Sequence, residues 1–249
     1  MVTPMFVWLG SGRARKFNAG ESGLLLDQAA RAGLPVPAGA ILLDAFYQII
    51  LSEGLVRPEG QVVWIDDADM FHNTLFHSVR LPRFKRPVAL FPLLVHRGGT
   101  SIGPSYNNID LNNPLQTARA FESAWGAGLD SQISKRYDVL ILEMVDATYA
   151  GTADLIESQG EDRIKLKQSK TNEQWPPVEG EVITLERLKR LRRPDDSLPP
   201  FARRLQMLLR GLRRTFNKTD LHIEWADDGS VCWIIQIIPF DSTCSQVNG

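Results

Sequence analysis

Leu221-His222-Ile223-Glu224-Trp225-Ala226, a turn at Asp227-Asp228-Gly229, and Cys232-Trp233-Ile234-Ile235-Gln236 form the stretch whose reading decides the fold. Two runs rich in β-branched and aromatic residues flank an Asp-Gly turn, which is a hairpin signal. Side chains alternate along a strand, so His222, Glu224 and Ala226 share one face, and Gln236 and Ile238 can meet that face from the partner strand. The other end of the chain carries a counterpart. Gly20-Glu21-Ser22-Gly23 opens a helix whose apolar positions include Leu24, Leu25, Ala29, Ala30 and Ala32. Gly33 stops it, and Pro35 and Pro37 force extended chain.

Between these ends, helices alternate with strands of two kinds. Phe6–Leu9 and Ala40–Leu43 are short strands, and Asp44 is expected to cap a helix bearing Phe46, Ile49, Ile50 and Leu51. Residues 52–87 are mixed. Val88–Val95 is a central strand in which Pro92 is awkward, because the ladder needs the donor that proline lacks. Residues 100–113 form a loop or twisted hairpin. A helix carrying Trp125 covers Leu115–Leu129, and Asp138–Val145 is the clearest strand. Ala153–Ile156 pairs with Arg163–Leu166 around Gln159-Gly160, and 171–180 is a linker. Thr184 is expected to start a helix running to Leu191, followed by a basic amphipathic helix from Leu198 to Phe216. The class is α+β, with mixed or antiparallel sheets and flanking helices in two subdomains. Residues 1–135 form the N-terminal subdomain, 136–240 the C-terminal one, and 241–249 a frayed tail.

Bulk properties narrow the function. The 249 residues suffice for a core, and 43% hydrophobic with 23% charged residues is a soluble composition. A net charge of −1 gives no field that favours nucleic acid or an anionic membrane. Cys232 and Cys244 are the two cysteines, without a Cys-x-x-Cys, and are expected to be free thiols in a reducing cytoplasm. The first residues lack the pattern of a signal peptide, and no apolar run approaches the roughly 18 residues that span a bilayer. A cytoplasmic protein is expected.

On the quoted segments, most of the chain resembles the nucleotide-binding domain of the phosphoenolpyruvate synthase and pyruvate, phosphate dikinase family, in shortened and degenerate form. The resemblance implies an ATP-grasp fold that takes up ATP with Mg²⁺ and passes phosphate to a histidine on a separate domain or another protein. Gly20, Ser22 and Gly23 match the family's phosphate turn, with Ser22 at the lysine position and Glu21 where phosphate approaches. Lys16 or Arg15 is a conceivable substitute. Arg97 matches the phosphate-clamping arginine, although another alignment puts Phe91 there. Met144, followed by Val145 and Gly151, matches the adenine hinge, with Leu142 in place of the family glutamine; from the residues themselves Met144 reads as core before it reads as a cofactor contact.

Glu224 and Gln236 match the acid and amide that hold metal and nucleotide, Glu224 being the implied Mg²⁺ ligand. His222 replaces the other acid and Ile238 the arginine. The alternative for Glu224 is a structural pair with an arginine of the basic helix. These substitutions leave two functions open: a stand-alone, weakened or silent dikinase-type ATP-binding domain, or a non-catalytic scaffold that keeps only the fold. Whether the chain is an enzyme stays open, and no catalytic residue is assigned.

Other chemistries find little support. His72 and His77, five apart, do not share a helical face as a zinc pair would. No Gly-x-x-x-x-Gly-Lys-Ser/Thr loop and no Gly-x-Ser-x-Gly elbow is present. The arginines of the basic helix mark either a solvated face or a docking surface for an acidic partner or nucleic acid.

Overall fold

Val139, Leu140, Ile141 and Leu142 are all buried, as a strand covered on both faces must be. Around them the computed structural model describes residues 4–96, 99–130, 136–156, 159–169, 182–189, 192–217 and 220–239. The chain divides into two units, Met1–Gln28 with Ala38–Met144, and Ala29–Pro37 with Val145–Gly249.

The elements up to the end of the first unit are β1 (Phe6–Trp8), α1 (Glu21–Arg31), β2 (Gly39–Leu42), α2 (Asp44–Ser52), β3 (Arg57–Glu59), β4 (Val62–Trp64), α3 (Ala68–Asn73), β5 (Val88–His96), β6 (Gly99–Ile102), β7 (Tyr106–Ile109), α4 (Pro114–Asp130) and β8 (Asp138–Glu143). The main sheet has the order β1-β2-β8-β5-β6, with β7 also on β5, and β3 with β4 forms a separate hairpin. All its pairings are antiparallel. Ala40, Leu42, Val88, Leu90, Val139 and Ile141 turn one face toward α2, α3 and α4, where Phe46, Phe71, Phe121 and Trp125 pack together. The Trp125 indole is satisfied there by the Tyr137 carbonyl, 3.1 Å away. The opposite face receives α1 at Gly23. A Cβ there would lie 2.8 Å from Ile41 Cδ1 and 3.2 Å from Leu93 Cδ1, so glycine is what lets this helix approach.

Two local expectations change. Asp44 does not cap its own helix. Its carboxylate accepts from the Tyr137 N–H at 3.0 Å, while its own N–H donates to the buried Asp138 at 2.7 Å. Arg136 closes this network through two bonds to Asp138, at 3.0 and 3.1 Å. Burial pushes the Asp138 carboxyl up, and the guanidinium opposes that push. Pro92, for its part, fits within β5. β7 pairs at Val88–Leu90 and β6 at Leu93–His96, which leaves Pro92 at the change of partner. Its carbonyl accepts from the Gly103 N–H at 2.9 Å on that side. A strand residue's N–H and C=O point the same way, so the missing donor falls in the break.

The second unit contains β9 (Tyr149–Leu155), β10 (Glu161–Ser169), β11 (Val182–Glu186), α5 (Pro200–Phe216), β12 (Leu221–Asp227) and β13 (Cys232–Pro239). Its antiparallel sheet runs β11-β10-β9-β12-β13. The amphipathic α5 buries Phe201, Leu205, Leu208, Leu209 and Leu212. Phe201 stacks between Tyr149 (4.3 Å) and Trp225 (6.1 Å), which fixes the helix over the apolar face of the sheet. The helix expected from Thr184 is instead the edge strand β11, with Ile183 opposite Ile164. Its Val-Ile-Thr run is stiff at χ1 and suits a pleated surface, and pairing with β10 overrides the capping signal. The linker 171–180 and the tail 241–249 lie outside the described residues. The α+β class with antiparallel sheets and flanking helices is borne out.

Candidate functional site

The face of the second sheet opposite α5 is polar, and the strand register says which residues share it. In β12, His222 and Glu224 alternate with the buried Ile223 and Trp225. A β-bulge leaves Ile235 of β13 without a counterpart, so Glu224 stands opposite Gln236 while Trp225 stands opposite Ile234. The extra residue brings Gln236 to the polar side and keeps Ile234 in the core.

β9 and β10 extend two rows across the sheet. One row reads Lys165, Thr152, Glu224, Gln236, and the next reads Arg163, Asp154, His222, Ile238. Directly opposed residues share a face and touch, so two cations, two carboxylates, an imidazole, a hydroxyl and an amide are gathered. Lys167 sits at a second bulge, between Leu166 and Gln168, and its ammonium pairs with Glu224. His222 Nδ1 lies 2.5 Å from Asp154 Oδ1, within hydrogen-bond distance. Thr152 and Gln236 are each only 8% exposed, whereas the side chains of Lys167 and His222 are 52% and 34% exposed.

The matched residues fall into groups. Glu224 and Gln236 are brought together as described. Gly20, Ser22 and Gly23 lie at the start of α1 in the first unit. Gly20 has φ +70°, which glycine tolerates, and its carbonyl accepts from the Leu24 N–H at 3.0 Å. Ser22 points inward: it is fully buried and its hydroxyl has no partner among the described residues. Met144 ends the first unit, its N–H bonded to the Pro87 carbonyl at 2.9 Å, and Leu142 is core. Arg97 lies outside the described residues. Lys16 rests over the Phe17 ring at 5.6 Å.

Glu224 pairs with a lysine of β10, so the alternative of a pair with an arginine of the basic helix is corrected. Three of those arginines are engaged with other acids. Arg204 makes two 2.7 Å bonds to the buried Asp227, Arg213 pairs with the buried Asp162, and Arg203 meets Asp196 at 3.1 Å. The first two bind α5 to its own sheet. The cations of the polar face come from Glu161-Asp162-Arg163-Ile164-Lys165-Leu166-Lys167, which the motif reading passed over. A basic residue at every second position was the signal, since period two places all three on one side.

A groove of about 530 Å³ also opens on the second unit, lined by Leu34, Pro35, Met207 and Val231 and ending on Cys232. Cys232 is a free, buried thiol, and burial raises its pKa well above the ordinary value. Cys232 is therefore expected to resist iodoacetamide in the native protein at pH 8 and to alkylate fully in denaturant, read by peptide mass spectrometry.

No family model and no curated protein sequence matches this chain. Solved structures do resemble it in the course of the chain. One is a D-alanine–D-alanine ligase from Bacillus anthracis complexed with ATP, with 9% identity and TM-score 0.40 over 93% of this chain and 57% of that one. Another is an L-amino acid ligase from Bacillus licheniformis, with 12% identity and TM-score 0.46 over 88% and 42%. A third is the ATP-grasp ligase PsnB complexed with a minimal precursor, with 12% identity and TM-score 0.39 over 92% and 54%. The chain thus spans about half the length of these proteins, and likenesses at such scores assign it no activity.

Proposed function

We propose that the polar face of the second sheet binds the polyphosphate of ATP together with Mg²⁺, making the chain an ATP-grasp-like nucleotide-binding domain of the phosphoenolpyruvate synthase and dikinase kind. One observation carries this reading: Arg163, Lys165 and Lys167 project from the strand whose register leads to Glu224 and Gln236. Phosphate oxygens make their strongest bonds to such charged donors. Among the described residues no three His, Cys, Asp or Glu side chains are grouped to hold a metal by themselves. Mg²⁺ already chelated by phosphate oxygens needs only one or two carboxylates, and Glu224 fits that smaller part. Nucleotide binding would then exchange the Lys167–Glu224 pair for Lys167–phosphate and Glu224–metal contacts.

The second reading, a silent scaffold, is favoured by Ser22, a buried hydroxyl at the position where the resemblance puts the family lysine. Titration calorimetry with Mg-ATP separates the two. Binding is expected, weakened about tenfold or more for each of Lys165→Ala and Lys167→Ala, the size of one lost charge-assisted bond. The absence of both heat and a thermal shift at millimolar Mg-ATP would leave only the scaffold.

A further inference from the structure

A small polar cavity lies in the first unit and shares no residue with the polar face of the second sheet. The turn Thr74–Ser78 continues α3 and contributes Phe76; the chain then runs through Arg80-Leu81-Pro82-Arg83-Phe84-Lys85-Arg86-Pro87 into β5. This segment carries four cations and no acid, and among the described residues none of the four makes an ion pair. A solvated basic run would be the plain account of it if the backbone were loose. The backbone is anchored instead. The Lys85 N–H donates to Glu143 Oε1 at 2.7 Å, and the Pro87 carbonyl accepts from the Met144 N–H at 2.9 Å. Between the segment and Asp110-Leu111-Asn112, which follow β7, is a cavity of about 200 Å³ with Phe76 and Phe84 as apolar walls.

Arg83 is held at the cavity wall. Its guanidinium lies 5.4 Å from the centre of the Phe76 ring and donates through Nη1 to Asn112 Oδ1 at 3.2 Å. Asp110 Oδ1 accepts from the Asn112 N–H at 2.9 Å and from its Nδ2 at 3.0 Å, which orients that amide. One guanidinium N–H thus serves position, and the fork keeps donors to spare. Lys85 and Arg86, both exposed, also line the cavity. Three cations against the single carboxylate of Asp110 leave two positive charges, and a phosphate monoester carries about −1.5 to −2 at pH 7. The volume falls below the roughly 300 Å³ at which pockets begin to take drug-sized ligands, so the body attached to the phosphate is small. We infer that this cavity binds a small phosphate monoester. Its phosphate sits between Arg83, Lys85 and Arg86, and a hydroxyl of its body donates to Asp110, whose carboxylate can only accept. The site is independent of the nucleotide reading, which concerns the second unit.

The test titrates the full chain calorimetrically with glycerol 3-phosphate, inorganic phosphate, glycerol and an oligothymidylate. Glycerol 3-phosphate is expected to bind with a dissociation constant below about 1 mM, about tenfold tighter than inorganic phosphate, and glycerol not at all. Arg83→Gln and Arg86→Gln should each weaken it about tenfold, the size of one lost charge-assisted bond, whereas Lys165→Ala should leave it within about twofold. Brief acetylation read by mass spectrometry supplies a result on the unaltered chain, free of any folding defect in a variant. Glycerol 3-phosphate should shield Lys85 and leave Lys165 and Lys167 at their unliganded rates. Mg-ATP, too large for the cavity, should leave Lys85 unshielded.

No binding of glycerol 3-phosphate at millimolar concentration would overturn the site, as would affinity unchanged in Arg83→Gln and Arg86→Gln. Shielding of Lys165 and Lys167 in place of Lys85 would assign the phosphate to the second sheet and overturn it too. Equal affinity for inorganic phosphate would overturn the monoester, leaving a site for any small anion. Tight binding of the oligothymidylate, lost in the same variants, would overturn it in favour of single-stranded nucleic acid stacked on Trp8, which is 43% exposed with its ring centre 6.1 Å from that of Phe84. None of these results decides whether Mg-ATP binds, which is read separately at Lys165 and Lys167.

Discussion

Arg204→Met is expected to destabilise the second unit by about 3–5 kcal/mol, read as a fall in its urea midpoint. Arg204 donates through Nε and Nη2 to the two oxygens of Asp227 at 2.7 Å each, and the Asp227 side chain is fully buried. The pair belongs to two elements, α5 and the end of β12, so it joins the helix to the hairpin. Methionine keeps most of the apolar stem but leaves a carboxylate buried without its counter-charge, and that unpaired charge is the source of the cost. The companion variant separates this from loss of packing. Arg204→Met with Asp227→Leu removes both charges and is expected to recover most of the midpoint. It does not recover all of it, because the Gly229 N–H also donates to Asp227 at 3.0 Å. A double variant as unstable as the single would show that shape, and not the buried charge, sets the cost.

Gly151→Val is the second large effect, with an expected loss of about 3 kcal/mol or more and a reduced yield of folded protein. A Cβ at Gly151 would lie 2.3 Å from the Lys165 carbonyl oxygen and 3.1 Å from Trp225 Cζ2. The first contact is backbone inside the ladder of β9 and β10, so relief requires the two strands to part. The second is a buried indole in the stack with Phe201. Parting those strands would also separate Lys165 from Thr152 in the polar row, so stability and nucleotide binding should fall together. Gly160 is the control. A Cβ there meets nothing within 4 Å, and Gly160→Ala should stay within about 0.5 kcal/mol of the parent.

These two positions also illustrate what the sequence discloses. Gly151 stands out in a pattern that follows a strand, yet only the paired strands reveal the carbonyl that demands it. The apolar period of α5 and the run Val139–Leu142 are legible because each pattern has one geometric solution. β11 is not legible, because Val-Ile-Thr-Leu-Glu carries both a capping threonine and strand-forming residues, and the choice is made by β10, a partner distant in sequence. The opposition of Glu224 and Gln236 follows from hairpin alternation, but the bulge at Ile235 that preserves it does not.

The cations show the same limit. A search anchored on the α1 turn finds Ser22 and infers a missing charge. Lys165 and Lys167 become visible as site residues only when β10 is laid beside β9 and β9 beside β12. Two of the arginines of α5, which the sequence presents as a basic face, are drawn inward: Arg213 by Asp162 and Arg204 by Asp227, acids on the strands beneath it.

Lysine footprinting tests the central claim most directly. The full chain is acetylated briefly with and without saturating Mg-ATP, and the modification of each lysine is quantified by mass spectrometry. If the polyphosphate lies on the polar face of the second sheet, Lys165 and Lys167 should be shielded at least tenfold while the exposed Lys85 of the first unit reacts at an unchanged rate. Equal acetylation of Lys165 and Lys167 with and without nucleotide, under conditions where binding is measured by calorimetry, would place the phosphates elsewhere and contradict the account.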